Sequence, residues 1–407
     1  MTVSKLRLTP AERPDAKQSE TTVESILTRV FIVLFVQLQC ILFVFLITGV
    51  APAFVERFRF QVDFIGFFNV TSDWIHGVDP YLNTRFVTPP PALLVALPVQ
   101  FFGLLLGSMV FMCIDLAIIA KSLSCICKWF KLTPRESLLL FGIASMYFPV
   151  MFLVERGNLD GIMLGLILVS LFARNRWIKA FALSLSIGIK VYSILLLAPL
   201  MLARLWKRAT AVVLLLALLM LPFHSLIWNF VISQTRRSAQ LFGAENICPI
   251  ALLCPIDVFG VWQHYALSHA VTLVYLALWI ASYAMMLYKN RNSDLTVKSI
   301  YSLPWMLAMP LQVFPYTGVL LLPLLVLKSR EIAERGLINL PDRLFLMGFC
   351  LVGFQQTAFS PYYMHPLLVR LFDAFNPLGT ALVIGSLVLQ SSNRNQQADT
   401  SLPVTAG

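Results

Sequence analysis

Asp63, Arg156, Asn158 and Lys190 combine a reactive side chain with a place beside a long apolar run in this 407-residue sequence. An ionisable group in such a setting is costly unless it is paired or used, so each is a functional candidate. Asp63 could take a proton from a hydroxyl, or cap the free amides of a helix start; the two roles are compatible. Arg156 and Asn158 occupy the turn Glu155-Arg156-Gly157-Asn158, and Lys190 stands in Gly188-Ile189-Lys190-Val191-Tyr192 between two short apolar pieces. Cations so placed suit a clamp for an anionic group such as phosphate. The competing readings are an ion pair with Glu155 or Asp160, or a side chain that snorkels to water. The junction around Lys190 leaves little room to snorkel, which favours the clamp there. Arg85 is a third candidate for the phosphate, and Tyr81, Asn158, Tyr192, Tyr316 and His365 are candidate substrate contacts. Tyr316 and His365 also suit an interfacial aromatic belt. Asp73, Asp79 and Asp160 have local turn or capping roles and are read as structural.

The element that must hold Asp63 is a helix. Phe64, Phe67, Phe68, Trp74 and Ile75 recur on one helical face, Gly77 ends the pattern, and Asp79-Pro80-Tyr81 makes a turn before the Pro89-Pro90-Pro91 run. Such an amphipathic helix is expected to lie in the membrane interface.

The remaining elements must cross the bilayer. Hydrophobic residues make up 58% of the chain and charged ones 13%, with a mean hydropathy of +0.79, far from the composition of a soluble domain. Continuous apolar runs without strand-like alternation predict an all-α polytopic membrane protein. Twelve apolar segments are expected, at 29–51, 91–120, 136–154, 158–172, 177–189, 191–205, 209–229, 263–288, 299–313, 316–329, 341–358 and 376–391. Several are too short to cross alone, and those flanking Lys190 read as half-helices.

Basic clusters alternate between the segments, among them Lys121 to Arg135, Arg174 to Lys179 and Lys328 to Arg343. Orientation by positive charge thus accounts for the net charge of +11 without a nucleic acid. It predicts cytoplasmic tails at 1–28 and 392–407, a single transmembrane domain at 29–391, and outer segments at 52–90 and 230–262. The odd count of seven cysteines gives no disulfide framework and no zinc spacing, although Cys248 and Cys254 share one outer loop and could be bridged. No phosphate-binding glycine loop, HExxH or Gly-x-Ser-x-Gly is present, which argues against ATP-driven transport and common hydrolase chemistry.

The segment Asp63-Phe64 … Gly77-Val78-Asp79-Pro80-Tyr81 … Phe86 … Pro89-Pro90-Pro91-Ala92-Leu93 resembles the first outer loop of the GT-C membrane glycosyltransferases, within them glycosyltransferase family 87. Arg156-Gly157-Asn158 followed by Gly188-Ile189-Lys190 resembles a second motif of that family, and Phe314-Pro315-Tyr316 and Ser360-Pro361 … His365 each partly resemble a third. Thr88 stands where the family has Tyr, and Val191 where it has Pro. The resemblance implies a GT-C fold of about twelve transmembrane helices with interfacial helices in the first outer loop. It further implies that Asp63 is catalytic and that a hexose, mannose in this family, passes with inversion from a polyprenyl-phosphate donor to a hydroxyl of a lipid or glycan acceptor. Lys190, Arg156 and Arg85 would hold the donor phosphate. No cofactor is implied, and the partners are the two substrates and membrane lipids. The expected place is the outer face of a cell membrane, as in cell-envelope glycan synthesis. Two other classes share some of these features: a secondary transporter or flippase, and a transferase of another group. A transporter would show related halves and midplane charges, whereas here the polar candidates gather toward one face and no repeat is evident.

Overall fold

Lipid offers no water to a broken backbone, and every regular element among the described residues is helical. The computed structural model describes residues 21–48, 61–82, 86, 88–237, 249, 265–309, 315–354 and 374–399, with side-chain surroundings for all of these except 41–48, 234–237, 265–269 and 391–399. In chain order the principal helices are α1 (Val23–Thr48), α2 (Val62–Ile75), α3 (Gly103–Trp129), α4 (Pro134–Met146), α5 (Phe148–Arg156), α6 (Asp160–Phe172) and α7 (Arg176–Ile189). They continue with α8 (Leu197–Leu202), α9 (Trp206–Met220), α10 (His224–Arg237), α11 (Tyr265–Lys289), α12 (Leu295–Leu307), α13 (Leu322–Arg335), α14 (Leu340–Val352) and α15 (Phe375–Asp399). Short 3-10 turns lead into α3 and into α8, and another, Pro315–Leu321, leads into α13.

Among the described residues, four helical stretches are long and apolar enough to cross a membrane: Val23–Cys40, Pro90–Trp129, Trp206–Ser233 and Ala270–Lys289. A fifth forms if α4 and α5 are taken together across a bend of 56°. Shorter apolar helices, among them Asp160–Phe172, Val191–Leu202 and Phe375–Gln390, occupy others of the expected segments and, as expected of several, are too short to cross alone. The segment expected at 136–154 is two helices because Pro149 lacks an N–H and its ring clashes with the carbonyl a turn earlier, which leaves Tyr147 extended. The break expected at Lys190 is present: α7 ends there, and the lysine has φ −143° and ψ 114°.

Helix starts away from the apolar interior carry polar caps. Thr133 with Glu136 and Asn339 with Asp342 each form a reciprocal capping box, and Asn175 accepts from the Trp177 amide. The main core joins α1, α4, α6, α7, α12, α13 and α14. A second, aromatic-rich core lies under α2, where Phe64 meets Phe111 at 4.9 Å, Phe67 meets Phe86 at 5.8 Å and Trp74 meets Phe223 at 5.2 Å. The face of α2 that periodicity assigned to lipid is thus spent largely on the protein.

One expected loop charge is also relocated. Lys328 is wholly buried, 3.5 Å from both Glu331 and Asp342 and bonded to Gln390, while Arg335 grips Asp342 through two bonds of 2.7 and 2.8 Å. Its charge is satisfied by α13, α14 and α15 rather than by solvent.

Helices α14 and α15 touch backbone to backbone, as small residues permit in membranes. A Cβ at Gly348 would lie 2.6 Å from the Gly379 carbonyl oxygen and 2.9 Å from the Val383 nitrogen. Neither can give way as a flexible side chain would. Gly348→Ala is expected to destabilise the protein by about 1–3 kcal/mol, read as a lower melting temperature in detergent. Gly385→Ala, whose Cβ meets nothing within 4 Å, serves as the control. Equal melting temperatures for the two variants would contradict the close packing.

Candidate active site

The polar candidates meet where helices stop. Helix α5 ends at Gly157, whose φ of 65° is the left-handed C-cap that glycine adopts without a Cβ penalty. Its last residue, Arg156, and the following Asn158 face the start of α2. Asp63 lies in the first turn of α2, one residue into the helix beyond Val62.

The Asp63 carboxylate is held on both oxygens. Arg156 donates to Oδ1 from Nη2 at 2.7 Å and from Nε at 3.1 Å, and Asn158 donates to Oδ2 at 3.0 Å. The side chains of Arg156 and Asp63 keep 30% and 23% of their surface, so solvent or a substrate can reach the pair. Arg156 takes both acceptor sites of Oδ1, while Oδ2 retains a further lone pair, which leaves the carboxylate an oriented acceptor. The helix N-cap is Gln61 rather than Asp63.

A second pair lies at the α7 break. Lys190 Nζ is 3.4 Å from Asp160 Oδ2, and the Tyr192 hydroxyl donates to Asp160 Oδ1 at 2.5 Å, with Thr317 3.5 Å from that hydroxyl. Asp160 is fully buried at the start of α6. Its burial is supported by these partners, which a local capping role does not supply.

Tyr316 joins the two pairs. Its ring stacks on Phe152 at 5.7 Å, the Arg156 guanidinium lies 5.6 Å over Phe152, and Lys190 Nζ lies 5.6 Å over Tyr316. Asp63, Arg156, Asn158, Lys190, Tyr192 and Tyr316 therefore form one contiguous group. It contains two cations, each against a carboxylate, on a shared aromatic floor.

Tyr81 stands apart from that group. Its hydroxyl donates to the Thr88 carbonyl at 2.7 Å, and its ring packs on Phe86 and Phe230. Asp79 accepts from the Tyr81 amide and from Asn229 Nδ2, so both residues tie this loop to α10. Burial pushes the Tyr81 hydroxyl above its ordinary pKa, which keeps it a donor. Arg85, His365 and the Cys248–Cys254 pair lie outside the described residues.

Sequence reasoning passed over Asp115 and undervalued Asp160. Asp115 is fully buried in α3, neither of its oxygens has a hydrogen-bond partner among the described residues, and a Cβ at Gly161 would come within 3.1 Å of Oδ1. The available signal was a carboxylate in the middle of an apolar span, which is a functional candidate by default.

Removing one partner of a buried ion pair leaves the other charge uncompensated. Asp160→Asn is therefore expected to cost about 3 kcal/mol of stability, measured as a drop in melting temperature. Adding Lys190→Met should restore at least half of the loss. No recovery in the double variant would show that Lys190 does not depend on Asp160.

No curated protein matches the chain. The family model described as glycosyltransferase family 87 matches residues 86–310, more than half of the chain. Arg156, Asn158, Lys190 and Tyr192 fall inside the matched stretch; Asp63 and Tyr81 precede it, and Tyr316 and His365 follow it. With its apolar spanning helices and this match, the chain belongs to glycosyltransferase family 87 and is a multi-pass membrane glycosyltransferase of GT-C type.

Proposed function

We propose that this protein moves a hexose, mannose first among the candidates, from a polyprenyl-phosphate donor to a hydroxyl of a lipid or glycan acceptor, with inversion at the anomeric carbon. Asp63 is the general base. It takes the acceptor proton as the hydroxyl oxygen bonds to the anomeric carbon, and the bond from that carbon to the phosphate oxygen breaks with its electron pair staying on the phosphate. Lys190 and Arg156 stabilise the leaving phosphate. Arg85 is a third candidate for that role and His365 a further substrate contact. Asn158, Tyr192 and Tyr316 line the sugar and phosphate positions, while Tyr81 keeps the loop beside them in shape. The apolar helices accept the isoprenoid chain.

One observation carries this reading: a carboxylate oriented on both oxygens by Arg156 and Asn158, in contact through Phe152 and Tyr316 with a second cation, Lys190. A base and phosphate-binding cations have to be neighbours in an in-line displacement, because the bonds being made and broken share one carbon.

Asp63→Asn keeps the size and most of the hydrogen bonding but removes the proton acceptor. Turnover with a polyprenyl-phosphate-mannose donor is expected to fall roughly 10²-fold or more, with donor binding retained. Asp63→Glu should recover little, since the added methylene displaces the carboxylate by about 1 Å. Wild-type turnover in Asp63→Asn would end the assignment of the base.

The site is proposed to face outward, in a cell membrane with both termini cytoplasmic, the bacterial cytoplasmic membrane being the first choice. The basic clusters support that orientation. Single cysteines on a cysteine-free background should label from outside at position 73 and from inside at positions 131 and 292. Labelling in the reverse sense would invert the orientation and move the chemistry to the cytoplasmic face.

A further inference from the structure

Gln61 has a backbone that few residues adopt. Its φ of 62° and ψ of 32° lie in the left-handed region, where glycine or asparagine is the ordinary occupant. It is also 1% exposed, although its side chain makes no cap for the helix it begins. Its hydrogen bonds go instead to a different helix. The Gln61 backbone N–H donates to the Glu155 carbonyl at 2.7 Å, and Nε2 donates to the Val154 carbonyl at 2.8 Å. Both acceptors belong to the last turn of α5, whose final carbonyls have no partner within their own helix. The neighbouring Leu153 carbonyl is taken by the Gly157 and Asn158 amides. Gln61 thus completes the C-terminal cap of α5 from across the fold.

The approach is close enough to constrain its neighbour. A Cβ at residue 157 would lie 2.2 Å from Gln61 Oε1 and 2.8 Å from the Phe64 Cβ, so this contact needs a glycine for space as well as for its φ of 65°. Residue 61 is therefore fixed against 154 and 155, and two residues further on Asp63 is fixed against Arg156 and Asn158. The first tie sets the register of the second. Strain in the backbone at position 61 is maintained by the surroundings, as is common where a site must be held in place.

We infer that Gln61 is a positioning residue for transfer, capping α5 across the fold so that the Arg156 guanidinium and the Asp63 carboxylate stay aligned. The inference rests on the proposed role of Asp63 as base. Gln61 touches neither substrate nor reacting atom in this account; it acts through the ends of α2 and α5.

The test uses the full chain in nanodiscs with polyprenyl-phosphate-mannose as the probe donor. Gln61→Ala is expected to lower kcat about tenfold or more while the donor KM changes little, since misalignment of the base affects the reaction more than binding. Gln61→Glu has the same length and shape, but an ionised carboxylate cannot donate to the Val154 carbonyl. Burial and the nearby Asp63 and Glu155 carboxyl groups favour the neutral form of the introduced carboxyl and Arg156 the ionised one, so turnover relative to wild type should be low at alkaline pH and rise as the pH falls and the carboxyl regains an O–H, a limb that Gln61→Ala lacks. A packing role alone would leave Gln61→Glu at the wild-type level at every pH. That result, or a loss confined to KM, overturns the inference. Amide exchange supplies a readout independent of activity: the Ile65 amide, which donates to the Gln61 carbonyl, and the Gly157 amide should exchange faster in Gln61→Ala. If wild type fails to use the probe donor, the functional reading fails, and the cap is then judged on exchange alone. Unchanged exchange at both amides overturns it.

Discussion

A helix that stops within the reach of lipid must have its backbone groups satisfied by protein, and this requirement organises the site. Two helices of this chain stop close to one another, at Gly157 and at Lys190, joined through Phe152 and Tyr316. At the first, Gln61 answers the freed Val154 and Glu155 carbonyls from another segment, and at the second the Ser193 amide takes the Lys190 carbonyl. Because those partners must be polar, charged groups gather at the breaks and not along the helices. The ion pairs of Asp63 with Arg156 and of Asp160 with Lys190 occupy that polar ground, with Phe152 and Tyr316 as its apolar floor.

Local pattern made part of this legible. The periodicity that begins at Asp63 and ends at Gly77 matches α2, and the break at Lys190 falls where two short apolar pieces were too brief to be spans. Pairing was less accessible, because it is decided between helices far apart in the chain. Asp160 opens a helix and so has a sufficient local explanation, yet its partners come from the segment thirty residues later. Lys328 sits among basic residues that look like an orientation signal, but α14 and α15 supply the carboxylate and amide that allow its burial. Breaks inside apolar runs were hard to see for a related reason. Prolines such as Pro149 divide runs that hydropathy reads as continuous.

Two charge clusters among the described helices manage buried charge in different ways. Around Lys328 a lysine, two carboxylates, an arginine and an amide close on one another with no exposure at Lys328 or Asp342. Around Asp63 the same kinds of groups retain solvent access. Full closure suits a clasp between helices, whereas partial exposure leaves lone pairs and N–H groups for an incoming molecule.

The pairing of each site cation with its own carboxylate also bears on which molecules can gain entry. A phosphate that reaches Arg156 or Lys190 has to compete with an anion already in place, so a small free anion would exchange one contact for another and gain little. A ligand with a long apolar tail brings binding energy from burial in the surrounding helices, and that energy can be spent on separating the pairs. Under the proposed chemistry, neutralised cations would make the site unresponsive to inorganic phosphate and sulfate in the surrounding water. Selection for a lipid-borne phosphate would then come from the tail, while the head group would be recognised only after the tail had opened the way.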